Sequence, residues 1–263
     1  MSTYDLFATL YDLEHQDVTD DIVMYRNFAE RCDGPVLELG CGSGRVSVAL
    51  AKAGFQVTGI DESAAMLALA REHAAEAGVS QRVRFEQGDV RRLMSAERSA
   101  SVERSANAPR FALAIYPLNG FLHLASGDDQ RAALSNISQA LLPGGLAIVD
   151  LPNPHTTFAP SLDGQLVTRR QFRSPEGHMC LSMISTQTDL AAQVQHLLLI
   201  YDRTDDQGIV HRVTVQTDLS FVYRYEMEYL LRQAGLKLDD VYGSYGLDPY
   251  ESGSPNMLFA AYK

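Results

Sequence analysis

The chain has 263 residues, 46% of them hydrophobic and 21% charged, which is enough for a full α/β core with an appendage. A formal net charge of −11 at pH 7 lacks the cationic footprint of a nucleic-acid binder or of a polybasic membrane anchor. The N-terminus carries no apolar signal-peptide core, no window nears the roughly 20 apolar residues of a membrane span, and Cys32, Cys41 and Cys180 form neither a disulfide framework nor a zinc pattern. We therefore expect a cytoplasmic protein with no nucleic-acid or membrane partner.

In chain order, the first thirty residues read as a helical lead-in, with Ile22, Val23, Tyr25, Phe28 and Ala29 at helix-compatible spacing. A short apolar strand over 35–39 runs into the turn Gly40-Cys41-Gly42-Ser43-Gly44, and a helix over 46–52 stops at Gly54. A second strand over 55–60 ends in Asp61, followed by a helix over 62–77 and Gly78. Strands over 83–86, 111–116 and 146–151 alternate with a helix over 128–142 that closes at Pro143-Gly144-Gly145. This rhythm predicts βαβ units on a parallel, doubly wound sheet.

Two segments interrupt it. Residues 95–110, rich in Ser, Ala, Arg and Glu, predict a solvated loop or loose helix. Residues 166–221 contain β-branched runs over 179–188, 193–201 and 209–219 with turn residues between them, which predicts an antiparallel meander. A helix over 225–234 and a closing pair of strands over 237–242 and 257–262 complete the chain.

The chemistry concentrates after the first strand, in Val36-Leu37-Glu38-Leu39-Gly40-Cys41-Gly42-Ser43-Gly44-Arg45. Glycines there let the backbone approach a ligand, and the next helix offers unpaired N–H groups. A dinucleotide fingerprint wants its third glycine at position 45, where this chain has Arg45. Glu38, two residues before the first glycine, repels a pyrophosphate but suits a ligand that carries an amino group.

With these residues the chain resembles the class I S-adenosylmethionine-dependent methyltransferases. Val57-Thr58-Gly59-Ile60-Asp61, Glu62-Ser63-Ala64-Ala65-Met66, Gln87-Gly88-Asp89-Val90 and Leu141-Leu142-Pro143-Gly144-Gly145 follow in the family's order. The pairs Tyr4-Asp5 and Tyr11-Asp12 are similar to the opening of small-molecule N-methyltransferases of the amine and aminosugar type. The resemblance implies a seven-stranded Rossmann-like sheet whose last strand is antiparallel, with a β-meander insertion. It implies a helical lid over 1–34, a core over 35–154 and 222–263, and an insertion over 155–221 above the active site.

It also implies S-adenosylmethionine as cofactor and S-adenosylhomocysteine as product. Asp61 would hold the ribose hydroxyls, Asp89 the adenine amino group, and Met66 would pack on adenine. The full expected cofactor set is Tyr4, Tyr11, Glu38, Gly40, Gly42, Gly44, Arg45, Asp61, Glu62, Met66, Asp89, Val90 and Leu118. His123, just beyond the fourth strand, and Tyr11 are the candidate catalytic residues, because either can relay a proton from the acceptor. Each has a bland alternative, a packed histidine and an amphipathic plug.

The chemistry expected is metal-free, in-line methyl transfer to a small-molecule acceptor, an amine before others. Methyl transfer to RNA or protein, or a non-catalytic cofactor-binding role, stands as the alternative. A monomer and a homodimer both remain open.

Overall fold

The structure, a computed structural model, describes residues 3–93, 110–157 and 163–263. The solvated segment expected at 95–110 lies outside the described residues except for Arg110.

The chain opens with a 3₁₀ turn (Thr3–Leu6), α1 (Ala8–His15) and α2 (Ile22–Cys32). The expected single helical lead-in is thus three pieces, broken by Phe7 and by residues 16–21. β1 (Val36–Leu39), α3 (Arg45–Lys52), β2 (Val57–Asp61), α4 (Ala64–Glu76) and β3 (Val83–Gln87) follow. β4 (Phe111–Tyr116), α5 (Gly127–Ala140) and β5 (Leu141–Pro152) come next. Pro143-Gly144-Gly145 falls inside the β5 span as a register shift against β4 rather than as a separate turn before the strand.

β4 is buried at every position, as a strand covered on both faces must be. Each large side chain removed from water there contributes about 1.5–3 kcal/mol. One face of the sheet packs on α5 and on α7 (Arg224–Gln233), through Leu134, Ile137, Met227 and Leu231. The other face packs on α2 and α3, through Met24, Tyr25, Phe28, Val46 and Leu50.

β10 (Lys237–Tyr242) and β11 (Asn256–Tyr262) complete a seven-stranded sheet ordered β3-β2-β1-β4-β5-β11-β10. β1 pairs in parallel with both β2 and β4, whereas β11 runs antiparallel to β5 and β10. The expected Rossmann-like sheet with an antiparallel last strand is therefore the observed one. Strand order reverses between β1 and β4, and a crevice opens at their carboxyl ends.

After a short helix α6 (Pro154–Thr157), the expected meander is a separate four-stranded antiparallel sheet. It is made of β6 (Leu166–Arg173), β7 (Met179–Asp189), β8 (Val194–Thr204) and β9 (Val210–Ser220). β6 had no counterpart among the expected strands. The inner face of the four-stranded sheet, with Leu199 and Tyr201 of β8 and Val215 of β9, packs on Phe7 and on Tyr4, Leu10 and Tyr11 of the N-terminal segment. No helix is long and apolar enough to cross a membrane among the described residues.

Candidate active site

The crevice floor is built from the ends of β1, β2 and β4. Gly40 has φ +64°, and a Cβ there would stand 3.3 Å from the ring of Tyr116, the last residue of β4. Gly44, with φ +81°, is closed in by Ala70 and Phe85 at 3.0 Å from a would-be Cβ. Both positions need glycine, one for close approach across the switch point and one for packing behind the turn.

Glu38 lies at this floor, 2% exposed, and its carboxylate accepts a hydrogen bond from Ser47. Burial pushes its pKa up to about 7, against the lowering effects of the Ser47 bond and the Arg45 charge. Asp61 ends β2 and uses its two oxygens differently. Oδ2 accepts from the Gly42 N–H at 2.8 Å and Oδ1 from the Ser63 N–H at 2.8 Å. Burial raises this carboxyl as well, and the two backbone bonds work against the shift.

The roof comes from the N-terminal segment. Asp5 accepts from the Ser63 hydroxyl at 2.6 Å and from the Ala65 N–H at 3.2 Å, which seats the first turn on the start of α4. Tyr4 then stands edge-on to Tyr11, and its hydroxyl lies 3.0 Å from His123 Nε2. Burial lowers the His123 pKa, so the ring is neutral at pH 7. Burial raises both the Tyr4 and Tyr11 phenols, which keeps them protonated. Tyr11 stacks on His15 with ring centroids 4.0 Å apart. His73 on α4 lies 3.4 Å from Asp12 and 2.9 Å from the Ser43 carbonyl, bridging the roof and the glycine turn.

Among the described residues, two guanidinium groups reach this cavity and both are engaged. Arg45 forms two 2.6 Å hydrogen bonds with the buried Asp21 and donates to the Val18 carbonyl at 2.7 Å. It ties the start of α2 to the glycine turn. Arg91 grips Asp89 through Nε and an amino nitrogen at 2.8–3.1 Å, and this pairing lowers the Asp89 carboxyl. The expected adenine acceptor therefore holds an arginine already.

Of the expected site residues, Tyr4, Tyr11, Glu38, Gly40, Gly42, Arg45, Asp61, Glu62, Met66, Asp89, Val90, Leu118 and His123 line one cavity. Gly44 does not line it; its role is the packing just described. Asp12, His15, Gln16, Arg91 and Tyr116 also line the cavity and were not among the expected residues. Asp12, His15 and Gln16 carry a legible signal with Tyr11, since positions 11, 12, 15 and 16 fall on one side at helical spacing. None of the described residues of the four-stranded sheet lines the cavity. The sheet packs on the N-terminal segment, and Ser220 at the end of β9 donates to the Leu122 and Leu124 carbonyls beside the cavity.

Residues 36–145 match a family described as a methyltransferase domain. The cypemycin N-terminal methyltransferase of a Streptomyces species is 27% identical over 85% of this chain and 80% of its own length. An S-adenosylmethionine-dependent methyltransferase from Clostridium acetobutylicum shares the fold with a TM-score of 0.78, at 16% identity over 99% of both chains. The sugar N-methyltransferase KedS8 from Streptoalloteichus superposes with a TM-score of 0.72, at 18% identity over 97% of this chain and 91% of its own.

Proposed function

Because this chain is a class I S-adenosylmethionine-dependent methyltransferase, we propose that it methylates the nitrogen of a small-molecule amine. The observation that carries this reading is the charge of the cavity. Asp12, Glu38, Asp61 and Glu62 line it, while Arg45 and Arg91 are each paired with a carboxylate, Asp21 and Asp89. Such a wall favours a cationic cofactor and a cationic acceptor over an anionic one. The relatives support the nitrogen, since one is by its name a cypemycin N-terminal methyltransferase and another a sugar N-methyltransferase.

The cofactor supplies a methyl carbon on a positive sulfonium. Glu38, buried against the hydroxyl and backbone N–H of Ser47 and pushed up to about 7, fits a site for its α-ammonium, whose charge would hold the carboxyl ionised. Asp61 keeps a lone pair on each oxygen for the ribose hydroxyls. Asp89 would accept from the adenine amino group, with Met66 and Val90 against the ring and Leu118 beside the sulfur end. The backbone of Gly40 and Gly42 leaves room for the ligand.

An amine attacks only when neutral, so a proton must leave. His123 is neutral at pH 7 and lies within hydrogen-bond distance of the Tyr4 hydroxyl, which suits it to accept that proton directly or through the phenol. Tyr11 keeps its proton, so it fits an orienting donor rather than a base. The roof formed by residues 3–16 excludes water from the reacting atoms, and the residues thus act chiefly by alignment. The proposed division of the chain follows: an N-terminal lid, a core sheet and an insertion that braces the lid.

Calorimetry with S-adenosylmethionine and S-adenosylhomocysteine tests the cofactor assignments. We expect Asp61→Ala to weaken both by about a hundredfold or more, the loss of two charge-assisted bonds. Methyl-transfer assays against matched amine and alcohol acceptors test the nitrogen. Turnover restricted to alcohols would overturn the amine reading and leave the cofactor site intact.

A further inference from the structure

Asp150 sits in β5 with apolar, buried neighbours on either side, Val149 and Leu151, and is itself 1% exposed. One carboxylate oxygen, Oδ2, accepts three hydrogen bonds from three parts of the chain. The Tyr25 hydroxyl of α2 donates at 3.2 Å, the Tyr245 hydroxyl of the C-terminal segment at 3.0 Å, and the Leu118 backbone N–H at 3.3 Å. No cation is among these partners.

The third bond matters most. β4 ends at Tyr116, and Pro117 has no N–H to give. Leu118 and Asn119 then both adopt the left-handed conformation, with φ +45° and φ +61°. Two successive non-glycine residues there are strained and persist only where their surroundings hold them. The 3₁₀ turn Gly120–His123 follows directly, with the Leu122 N–H on the Asn119 carbonyl at 2.9 Å. This strained link carries both Leu118 and His123 to the cavity.

We propose that Asp150 is a positioning residue, whose carboxylate holds the Leu118 amide and thereby sets the turn that presents Leu118 and His123 to the reaction. An apolar side chain would fill β5 at less cost, so the carboxylate serves the donors that meet it. Among the described residues, the charged and titratable groups around it are Tyr25 of α2, Asp21 just before that helix, Tyr245, and Arg45, which is tied to Asp21. Burial raises the Asp150 carboxyl to about 6, while the Tyr245, Leu118 and Tyr25 bonds pull the other way. Above that pH the ionised oxygen accepts all three bonds. Below it the carboxyl carries a proton and the hold on the turn weakens.

The turn holds its place whichever atom receives the methyl group, so amide spectra of the ¹⁵N-labelled, ligand-free full chain read it without an acceptor. We expect the Leu118 amide to titrate with a midpoint near 6. Tyr245→Phe removes a bond that favours the ionised form and should raise that midpoint by roughly half to one unit. Asp150→Asn should abolish the titration. Turnover should fall on the acid side with the same midpoint, and move with it in Tyr245→Phe. A Leu118 amide that does not titrate between pH 5 and 8 in folded protein would overturn the proposal. So would a Tyr245→Phe variant that changes thermal stability while leaving both midpoints in place.

Discussion

A buried carboxylate that meets only neutral donors costs the ligand-free protein stability, and Glu38, held by the hydroxyl and the backbone N–H of Ser47, is in that position. Its folded-state pKa, about 7, lies above the ordinary glutamate value. The sign follows from linkage. The native state binds more protons than the unfolded chain between about pH 4.5 and 7, so stability present at acid pH is lost as pH rises through that window. Glu38→Gln escapes this loss. We expect it to match the wild type near pH 4.5 and to be more stable by about 1–3 kcal/mol at pH 8, measured by denaturant unfolding without ligand. The same variant should bind S-adenosylmethionine at least tenfold more weakly, a trade of function against stability. Equal stability at pH 8 would mean that the carboxylate finds solvation the fold does not display.

At the scale of elements, the decisive joint is between α1 and the four-stranded sheet. Glu14 of α1 is 2% exposed and accepts from the Ser182 hydroxyl at 2.6 Å and from the Tyr201 hydroxyl, with Arg169 at 3.6 Å. Arg170 adds bonds to the Glu14 carbonyl and to Asp17. Phe7 stacks on Tyr201 with centroids 5.5 Å apart, so apolar and polar contacts close the same joint. Glu14→Ala strands two hydroxyls and an arginine, which should destabilise the fold by about 2–4 kcal/mol. Hydrogen exchange should rise first in residues 3–16 while the core sheet stays protected. Uniform loss of protection would instead make the joint part of the global fold. β6 escaped the sequence reading for a related reason. Arg169 and Arg170 interrupt its alternation at a register shift, and both face partners on the N-terminal segment that no local pattern reveals.

For the whole molecule, the net charge of −11 and the carboxylates lining the cavity would act together on the cationic acceptor proposed above. We expect KM for a cationic amine to rise roughly two- to fivefold between 0.05 and 0.5 M salt with kcat little changed, because screening weakens attraction more than alignment. No difference from an uncharged analogue would leave the cavity charge without a role in recognition. The alternation of strands and helices, the glycine turn and the acids at strand ends made the sheet and most of the cavity lining legible from the sequence. Those signals are local: a tight turn or a buried strand is encoded by adjacent residues. Glu38 could be picked out because an acid inside an apolar strand end is conspicuous. Asp150, in Ile148-Val149-Asp150-Leu151, carried the same mark and was overlooked because no motif surrounds it. The sequence by itself determined the fold class and picked out most of the residues that meet in one cavity. Only the tertiary structure decided that Arg45 serves Asp21, that Arg91 occupies Asp89, that Glu14 anchors the roof and that Asp150 holds the Leu118 turn. Burial and charge pairing arise between segments far apart in the chain, as with Glu14 and Tyr201, 187 positions from each other, and no local pattern carries them.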